Sequence, residues 1–122
     1  MGPDSWGAAR LAAGAGLVPV EGLEAGDADF AFCAVRPPGH HATPDRSMGF
    51  CLLNNVAVTA TALTKTGHRV AIVDVDAHHG NGTQDVFYED DQVLFVSSTS
   101  GRYTRAVVQL TRRGLVSGPA PP

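Results

Sequence analysis

The side chains best suited to chemistry lie in a run of acids, histidines and glycines, DVDAHHGNG at residues 74–82. Because successive side chains of an extended chain point to opposite faces, Asp74, Asp76 and His78 are expected to project to the same side. A carboxylate and an imidazole two residues apart can then bind one cation, and these oxygen and nitrogen ligands suit zinc or another borderline divalent metal. The two later glycines permit a tight turn close to such a site.

A purely structural interpretation of the same run has the carboxylates capping a turn and the histidines at a polar surface. For a single Asp-x-His sequence that interpretation is the more common outcome. Here two acids, two histidines and two glycines follow an apolar run. Burying so many ionisable groups without a metal or a charged partner is costly. The cluster therefore favours a metal site.

A second group of chemical interest is the pair His40 and His41 in RPPGHHA, residues 36–42. Imidazole exchanges protons near neutral pH, and a paired acid fixes its tautomer and raises its basicity. Two such rings can divide the activation of water and the protonation of a leaving amine. Taken in isolation, a polar loop with two solvated histidines is the favoured interpretation.

A third segment, SMGFCLLNN at residues 47–55, contains Gly49 and Phe50. The glycine allows the backbone to approach a ligand closely, and the phenyl ring can form an apolar wall. In isolation, the segment is better interpreted as a loop entering a helix, with Phe50 in the core.

Residues 69–76 must position the acidic cluster, and they form the most clearly predicted strand. The run is rich in β-branched residues and follows a helical pattern, which indicates a central parallel strand covered on both faces. In open α/β sheets, ligands bind at the carboxyl edge of such strands.

The other predicted elements alternate helix and strand, which indicates an α/β domain. The tail after residue 100 is rich in Arg, Thr, Gly and Pro and is predicted to be disordered. In chain order the elements are a helix capped by Ser5 and reaching about Val18, a buried strand at 30–35, a helix at about 54–66, a short helix at 84–89 and a buried strand at 92–97.

Composition sets the class of protein. The 122 residues, 43% of them hydrophobic and 17% charged, suffice for one small domain. The net charge of −3 and the lack of a basic stripe argue against nucleic-acid binding. No apolar run approaches the roughly 20 residues of a membrane span, and no secretory signal is apparent. Cys33 and Cys51 are predicted to be buried, reduced thiols, so the expected location is cytoplasmic.

Four motifs, taken in order, resemble the histone deacetylase and acetylpolyamine amidohydrolase family. They are RPPGHH, GFC, NN and DVDAHHGNGT, and the similarity extends over about residues 6–97. Asn81 within GNGT is more similar to the class II and bacterial branch. The resemblance implies an arginase-like three-layer α/β/α sandwich with a parallel sheet, present in part at residues 1–100 and followed by a divergent tail at 101–122.

The resemblance also implies roles in catalysis. Asp76 and His78 match two of the three zinc ligands of the family. His40 and His41 match its tandem proton-transfer histidines, with Asp74 as the acid that orients His40. Position 81 has Asn where other branches have an acid behind the second histidine, so that ring is expected to be less basic.

Substrate and cation sites are implied in the same way. Gly49 and Phe50 match the wall of the tunnel that holds an acetyl-lysine side chain or an acetylated polyamine. A structural monovalent cation such as K⁺ is expected in a site partly built from backbone oxygens. Its residues would be Asp74, Asp76, His78, Ser97 and Ser98, and those of a second such site Phe87, Asp90 and Val93.

The implied reaction is hydrolysis of an amide to acetate and a free amine. Zinc would polarise the carbonyl and lower the pKa of its bound water. The two histidines would take the water proton and deliver one to the departing amine.

The sequence departs from the family downstream, where the third zinc ligand, an aspartate, and the carbonyl-polarising tyrosine have no matching positions. The setting of Tyr103 does not fit that tyrosine. The alternative is therefore a catalytically inactive fragment with an incomplete metal site. A frame shift near Ser98 would explain the departure, because codons exist for which a shifted frame spells VHQWPLHPG. A dinuclear manganese ureohydrolase is disfavoured by the tandem histidines and by the lack of further bridging acids.

Overall fold

A computed structural model describes residues 1–98 and 106–109. These residues form four helices and three strands. In chain order they are α1 (Ser5–Ala15), α2 (Leu17–Glu24), α3 (Asn55–Lys65), β1 (Val70–Asp74), α4 (Asn81–Val86), β2 (Val93–Ser98) and β3 (Ala106–Gln109).

The strands form one sheet in the order β1-β2-β3. β1 and β2 are parallel, and Asp74 is opposite Ser97. The crossover that parallel neighbours require contains α4. β3 pairs antiparallel with β2. The carboxyl ends of β1 and β2 therefore lie side by side, which is where the predicted site belongs.

The core lies between the sheet and α3. Ile72 and Phe95 pair across the two parallel strands and pack with Phe87. The helix contributes Ala57 and Ala60, whose small side chains let its backbone approach the sheet. α1 packs on α3 through its own buried alanines. This packing holds the start of α3 close to the end of β1.

The N-terminal region differs from its prediction. A single helix from Ser5 to about Val18 was expected, but α1 ends at Ala15 and α2 follows after Gly16. Asp4 is in the N-cap position, and it makes no side-chain capping bond. Pro19 lies in the first turn of α2, where its missing N–H removes no intrahelical bond. In one continuous helix Pro19 would lie in the interior and disrupt the hydrogen bonding, so the first helix ends before it.

The predicted buried strand at residues 30–35 is wrong. The segment is irregular, and the side chains of Phe30 and Phe32 are 83% and 88% exposed. An apolar run indicates a tendency toward burial, but a strand also needs a neighbour to bond with. Among the described residues, no strand pairs with this segment.

β1 lies at the edge of the described sheet, so its prediction as a central strand covered on both faces is wrong. Ile72 is buried against α3, but Val73, which points to the opposite face, is 66% exposed. Within residues 1–98 and 106–109, β1 pairs with β2 alone.

The remaining elements agree closely with the sequence. The helix predicted at about 54–66 is confirmed as α3, and the strand at 92–97 as β2. The short helix predicted at 84–89 begins earlier, at Asn81. Ala106–Gln109 forms β3 inside the tail predicted to be disordered, and the other residues of that tail lie outside the described part. No described helix has the length and apolar character that crossing a bilayer requires.

Both cysteines are unpaired, but they differ in exposure. Cys51 is 1% exposed, as predicted, whereas Cys33 is exposed, so its predicted burial is wrong. Burial raises the pKa of the Cys51 thiol. Its thiolate, the reactive form, is therefore scarce at neutral pH.

We expect thiol labelling of the native chain at pH 8 to show two phases. Cys33 should react quickly, and Cys51 should react roughly tenfold or more slowly, because its thiol is buried and protonated. Labelling with a chromogenic disulfide reagent measures both rates, and Cys33→Ser should retain the slow phase alone. Two equal rates would contradict the burial of Cys51.

Candidate metal and proton-transfer site

His40 is held by the carboxylate at the end of β1. Its Nδ1 lies 2.8 Å from Oδ2 of Asp74, and both side chains are largely buried. The other oxygen, Oδ1, accepts the backbone N–H of Asp76 at 3.1 Å, so the carboxylate is fixed on both sides. An ionised carboxylate can only accept, so Nδ1 of His40 carries the hydrogen. Its Nε2 is left to exchange protons.

His41 is held by an amide in place of an acid. Its Nδ1 lies 2.7 Å from Oδ1 of Asn81. The amide nitrogen of Asn81 donates to the sulfur of Met48 at 3.4 Å, which favours this orientation of the amide over the flipped one. The oxygen accepts from Nδ1, so Nε2 of His41 also presents a lone pair. Unlike Asp74, the amide adds no negative charge behind the ring.

The loop that carries both imidazoles is tied to α3 and α4. The backbone N–H of Thr83 donates to the His40 carbonyl at 3.1 Å. The side-chain amide of Asn54 donates to the Ala42 carbonyl and to the Thr83 hydroxyl, each at 3.1 Å. The Asn54 oxygen meanwhile caps α3 by accepting the N–H of Ala57. Sequence analysis missed this role, although an Asn directly before an apolar helical pattern is an N-cap signal.

Asp76 and His78 meet at the end of β1. Oδ1 of Asp76 lies 3.2 Å from Nδ1 of His78 and accepts its backbone N–H at 2.8 Å. The side-chain contact is a hydrogen bond, and its length is also close to the roughly 3.3 Å that separates two ligands at about 2.05 Å from a tetrahedral zinc. The side chains are 51% and 79% exposed, which leaves the remaining coordination positions accessible.

The carboxyl group of Asp76 is ionised at neutral pH. The backbone N–H of His78, together with hydrogen bonding and charge from nearby imidazoles, lowers the pKa of this carboxyl below its ordinary value. A carboxylate that is already deprotonated need release no proton when a metal binds.

The three imidazoles form one cluster. The ring centroids of His40 and His41 are 4.0 Å apart, and those of His41 and His78 are 6.2 Å apart. A groove of about 580 Å³ beside β1 is lined in part by His40, Asp74 and Asp76. The structure therefore brings the five predicted side chains together. Among the described residues, no group of three or more His, Cys, Asp or Glu is arranged to hold a metal.

Gly49 lies directly beside the His41 ring, and Phe50 follows it in the chain. Both have left-handed backbone conformations, with φ of 57° and 62°. A Cβ on Gly49 would overlap the His41 ring. The Phe50 side chain is 93% exposed, so its interpretation as a core residue is wrong. It lines an apolar groove of about 500 Å³ together with Met48 and Leu52.

The tight turn predicted at Gly80 is present: the N–H of Asn81 donates to the His79 carbonyl at 2.9 Å, and Gly80, with ψ of 65°, is the central residue of an inverse γ-turn. Its φ of −76° is open to any residue, but a Cβ there would overlap the Asp74 carboxylate. Its N–H donates to the hydroxyl of Ser97, which is fully buried, whereas Ser98 is exposed. The monovalent cation site at these strand ends stays a prediction.

Comparison of the coordinates with solved structures defines the class of fold. The crystal structure of the HDA15 HD domain superposes with a TM-score of 0.72 and is 47% identical, covering 75% of this chain and 27% of that one. The chain is thus part of an arginase-like α/β fold. Residues 1–103 match the histone deacetylase domain, and the chain belongs to that family.

Two relatives show what share of their length this chain matches. The histone deacetylase-like amidohydrolase of Pseudomonas aeruginosa is 48% identical over 100 residues, covering 80% of this chain and 26% of that protein. A probable deacetylase of Archaeoglobus fulgidus is 50% identical over 91 residues, covering 74% and 25%. The chain spans about a quarter of the length of these relatives.

Proposed function

We propose that the chain carries the proton-transfer histidines and two of the metal ligands of a zinc-dependent deacetylase. Its substrates would be the amides of acetyl-lysine or of acetylated polyamines. The observation that carries the proposal is the spacing at the end of β1. Two imidazoles with fixed tautomers lie beside an Asp-His pair whose 3.2 Å separation suits one zinc ion.

Each side chain has a definite task. Asp76 and His78 would hold zinc, which when bound supplies a Lewis acid for the amide carbonyl. His40 and His41 each direct Nε2 away from the partner that holds Nδ1, so either ring can accept or deliver a proton. The carboxylate of Asp74 fixes the tautomer of His40, so the lone pair of its Nε2 is open to a proton.

The substrate class rests on the apolar wall. Gly49 lets the backbone approach His41, and the exposed ring of Phe50 faces an apolar groove. We propose that a long, thin aliphatic chain ending in an acetamide lies along this wall, as the family resemblance implies; the described residues that line the groove do not include His40, His41, Asp76 or His78. We also propose a structural K⁺ at the predicted residues and a cytoplasmic location, the latter supported by two unpaired cysteines.

One observation favours a second candidate function, an inactive fragment with an incomplete metal site. Among the described residues, only two ligands converge, whereas catalytic zinc sites use three protein ligands. Under this alternative the chain holds zinc weakly and does not turn over substrate by itself.

Metal analysis of the purified chain tests the metal site. We expect one zinc per chain, lost in His78→Ala and retained in His68→Ala, whose ring lies on the surface against Glu24. Two manganese ions per chain would support a ureohydrolase. Failure to bind any metal would support the inactive fragment.

Activity is tested in a chimaera in which residues 1–98 replace the matching segment of the Pseudomonas aeruginosa relative. We expect zinc-dependent release of acetate from a fluorogenic acetyl-lysine substrate. The 122-residue chain is assayed beside it, with and without zinc. A folded, zinc-loaded chimaera without activity would contradict the deacetylase proposal, and turnover by the chain alone would contradict the fragment alternative.

A further inference from the structure

His79 is a partly buried imidazole that the reaction proposed above does not use. It follows His78 directly, but its ring points into the protein, with its centroid 6.2 Å from that of Phe95 in β2. Its Nε2 lies 2.6 Å from Oε1 of Gln84 in α4. We call these two residues the His79–Gln84 pair.

The His79–Gln84 pair joins the loop between β1 and α4 to α4 itself. Residues 75–78 are all exposed, so His79 is the first side chain after the strand that contacts the interior. Its carbonyl also accepts the N–H of Asn81 at 2.9 Å, which links it to the partner of His41. The loop that bears the metal ligands is thus anchored at one internal side chain.

The hydrogen bonding of the pair is incomplete. Nδ1 of His79 and Nε2 of Gln84 are both buried, and neither has a hydrogen-bond partner among the described residues. Buried polar atoms without partners destabilise a fold, whereas apolar side chains of the same shape would not. The directional bond between the two side chains points to a role in orientation.

We propose that the His79–Gln84 pair is a positioning device that turns His78 outward toward the metal. His78 and His79 are adjacent, so holding the His79 ring inside through Gln84 fixes the backbone that carries His78. The exposed side chain of His78, beside Asp76, fits this arrangement. The inference rests on the proposed function, because it assigns the pair to the same metal site.

Isothermal titration calorimetry of the 122-residue chain with zinc tests the inference, and a thermal melt of each variant measures its stability. In the double variant His79→Phe, Gln84→Met, the new ring keeps the packing on Phe95, and no polar atom is left without a partner. We expect an unchanged or higher melting temperature but zinc binding weaker by about 10–100-fold, the usual effect of losing an outer support of a metal ligand. The matched control His68→Phe, Gln92→Met makes the same changes at exposed positions and should bind zinc as the wild type does.

The outcomes separate the two proposals. A folded double variant that binds zinc as tightly as the wild type overturns the positioning role and leaves the metal site intact. A wild-type chain that binds no zinc overturns the proposed function, and the positioning role with it. If the double variant does not fold, Gln84→Glu, which keeps an acceptor for His79, is compared with Gln84→Met. Tighter zinc binding by the glutamate variant supports the role, and equal binding overturns it.

Discussion

Replacing Phe95 by alanine is expected to lower the free energy of unfolding by roughly 3–5 kcal/mol. The ring is fully buried in β2 and packs with Ile72, Phe87 and the alanines of α3. Its removal leaves a cavity at the junction of the parallel strands and the helix. Domains of this size are stable by only about 5–15 kcal/mol, so the variant should lose a large part of its stability. Urea denaturation followed by circular dichroism measures the change.

Phe32→Ala is the matched control, because it makes the same substitution at a side chain that is 88% exposed. Its effect should stay within about 0.5 kcal/mol. A loss as large as that of Phe95→Ala would mean that residues 30–35 are buried, as their apolar composition predicted.

The contrast between these two phenylalanines shows what the sequence can predict about the fold. α3 and β2 carry their own signals, an apolar stripe in the helix and a short apolar run in the strand, and both are confirmed. The segment at 30–35 has an equally apolar composition, but whether it becomes a strand depends on a neighbour that its own residues do not encode. The same limit applies to β1, whose identity as a strand was predicted correctly and whose place at the sheet edge was not.

In the candidate site, too, some contacts were predicted from the sequence and others were missed. Asp76 and His78 meet as predicted, but they do so at a bend closed by the bond from the His78 N–H to Asp76, and not in an extended chain. The contacts of His40 with Asp74 and of His41 with Asn81, which the family resemblance implied, are also present. The roles of Asn54 and the His79–Gln84 pair were missed. The N-cap of Asn54 has a local signal, but its bonds to Ala42 and Thr83 depend on packing between distant segments. His79 and Gln84 are only five residues apart, but the direction of the His79 ring depends on its packing near Phe95.

The two tandem histidines differ in what holds them, and this difference leads to the second large effect. Asp74 places a negative charge behind His40, whereas the Asn81 amide behind His41 is neutral. The amide oxygen fixes the tautomer of His41, so the lone pair of its Nε2 can accept a proton from the attacking water.

In the chimaera described above, His41→Ala is expected to lower kcat by about 10²–10⁴-fold, the usual contribution of a general acid or base. Because the ring contributes to proton transfer more than to binding, KM should change little. Steady-state kinetics with the fluorogenic acetyl-lysine substrate at saturating zinc gives both constants.

His68→Ala is the control for this experiment, since it removes an imidazole that is half exposed and bonded to Glu24, on the surface of the domain. It should leave kcat unchanged. The informative comparison is Asn81→Asp, which keeps the acceptor for Nδ1 of His41 and adds the charge that the amide lacks. We expect this variant to retain activity but to shift the acidic limb of its pH–rate profile to higher pH, because a carboxylate favours the protonated ring. An unchanged profile, or full activity in His41→Ala, would show that the water proton is taken up by another group.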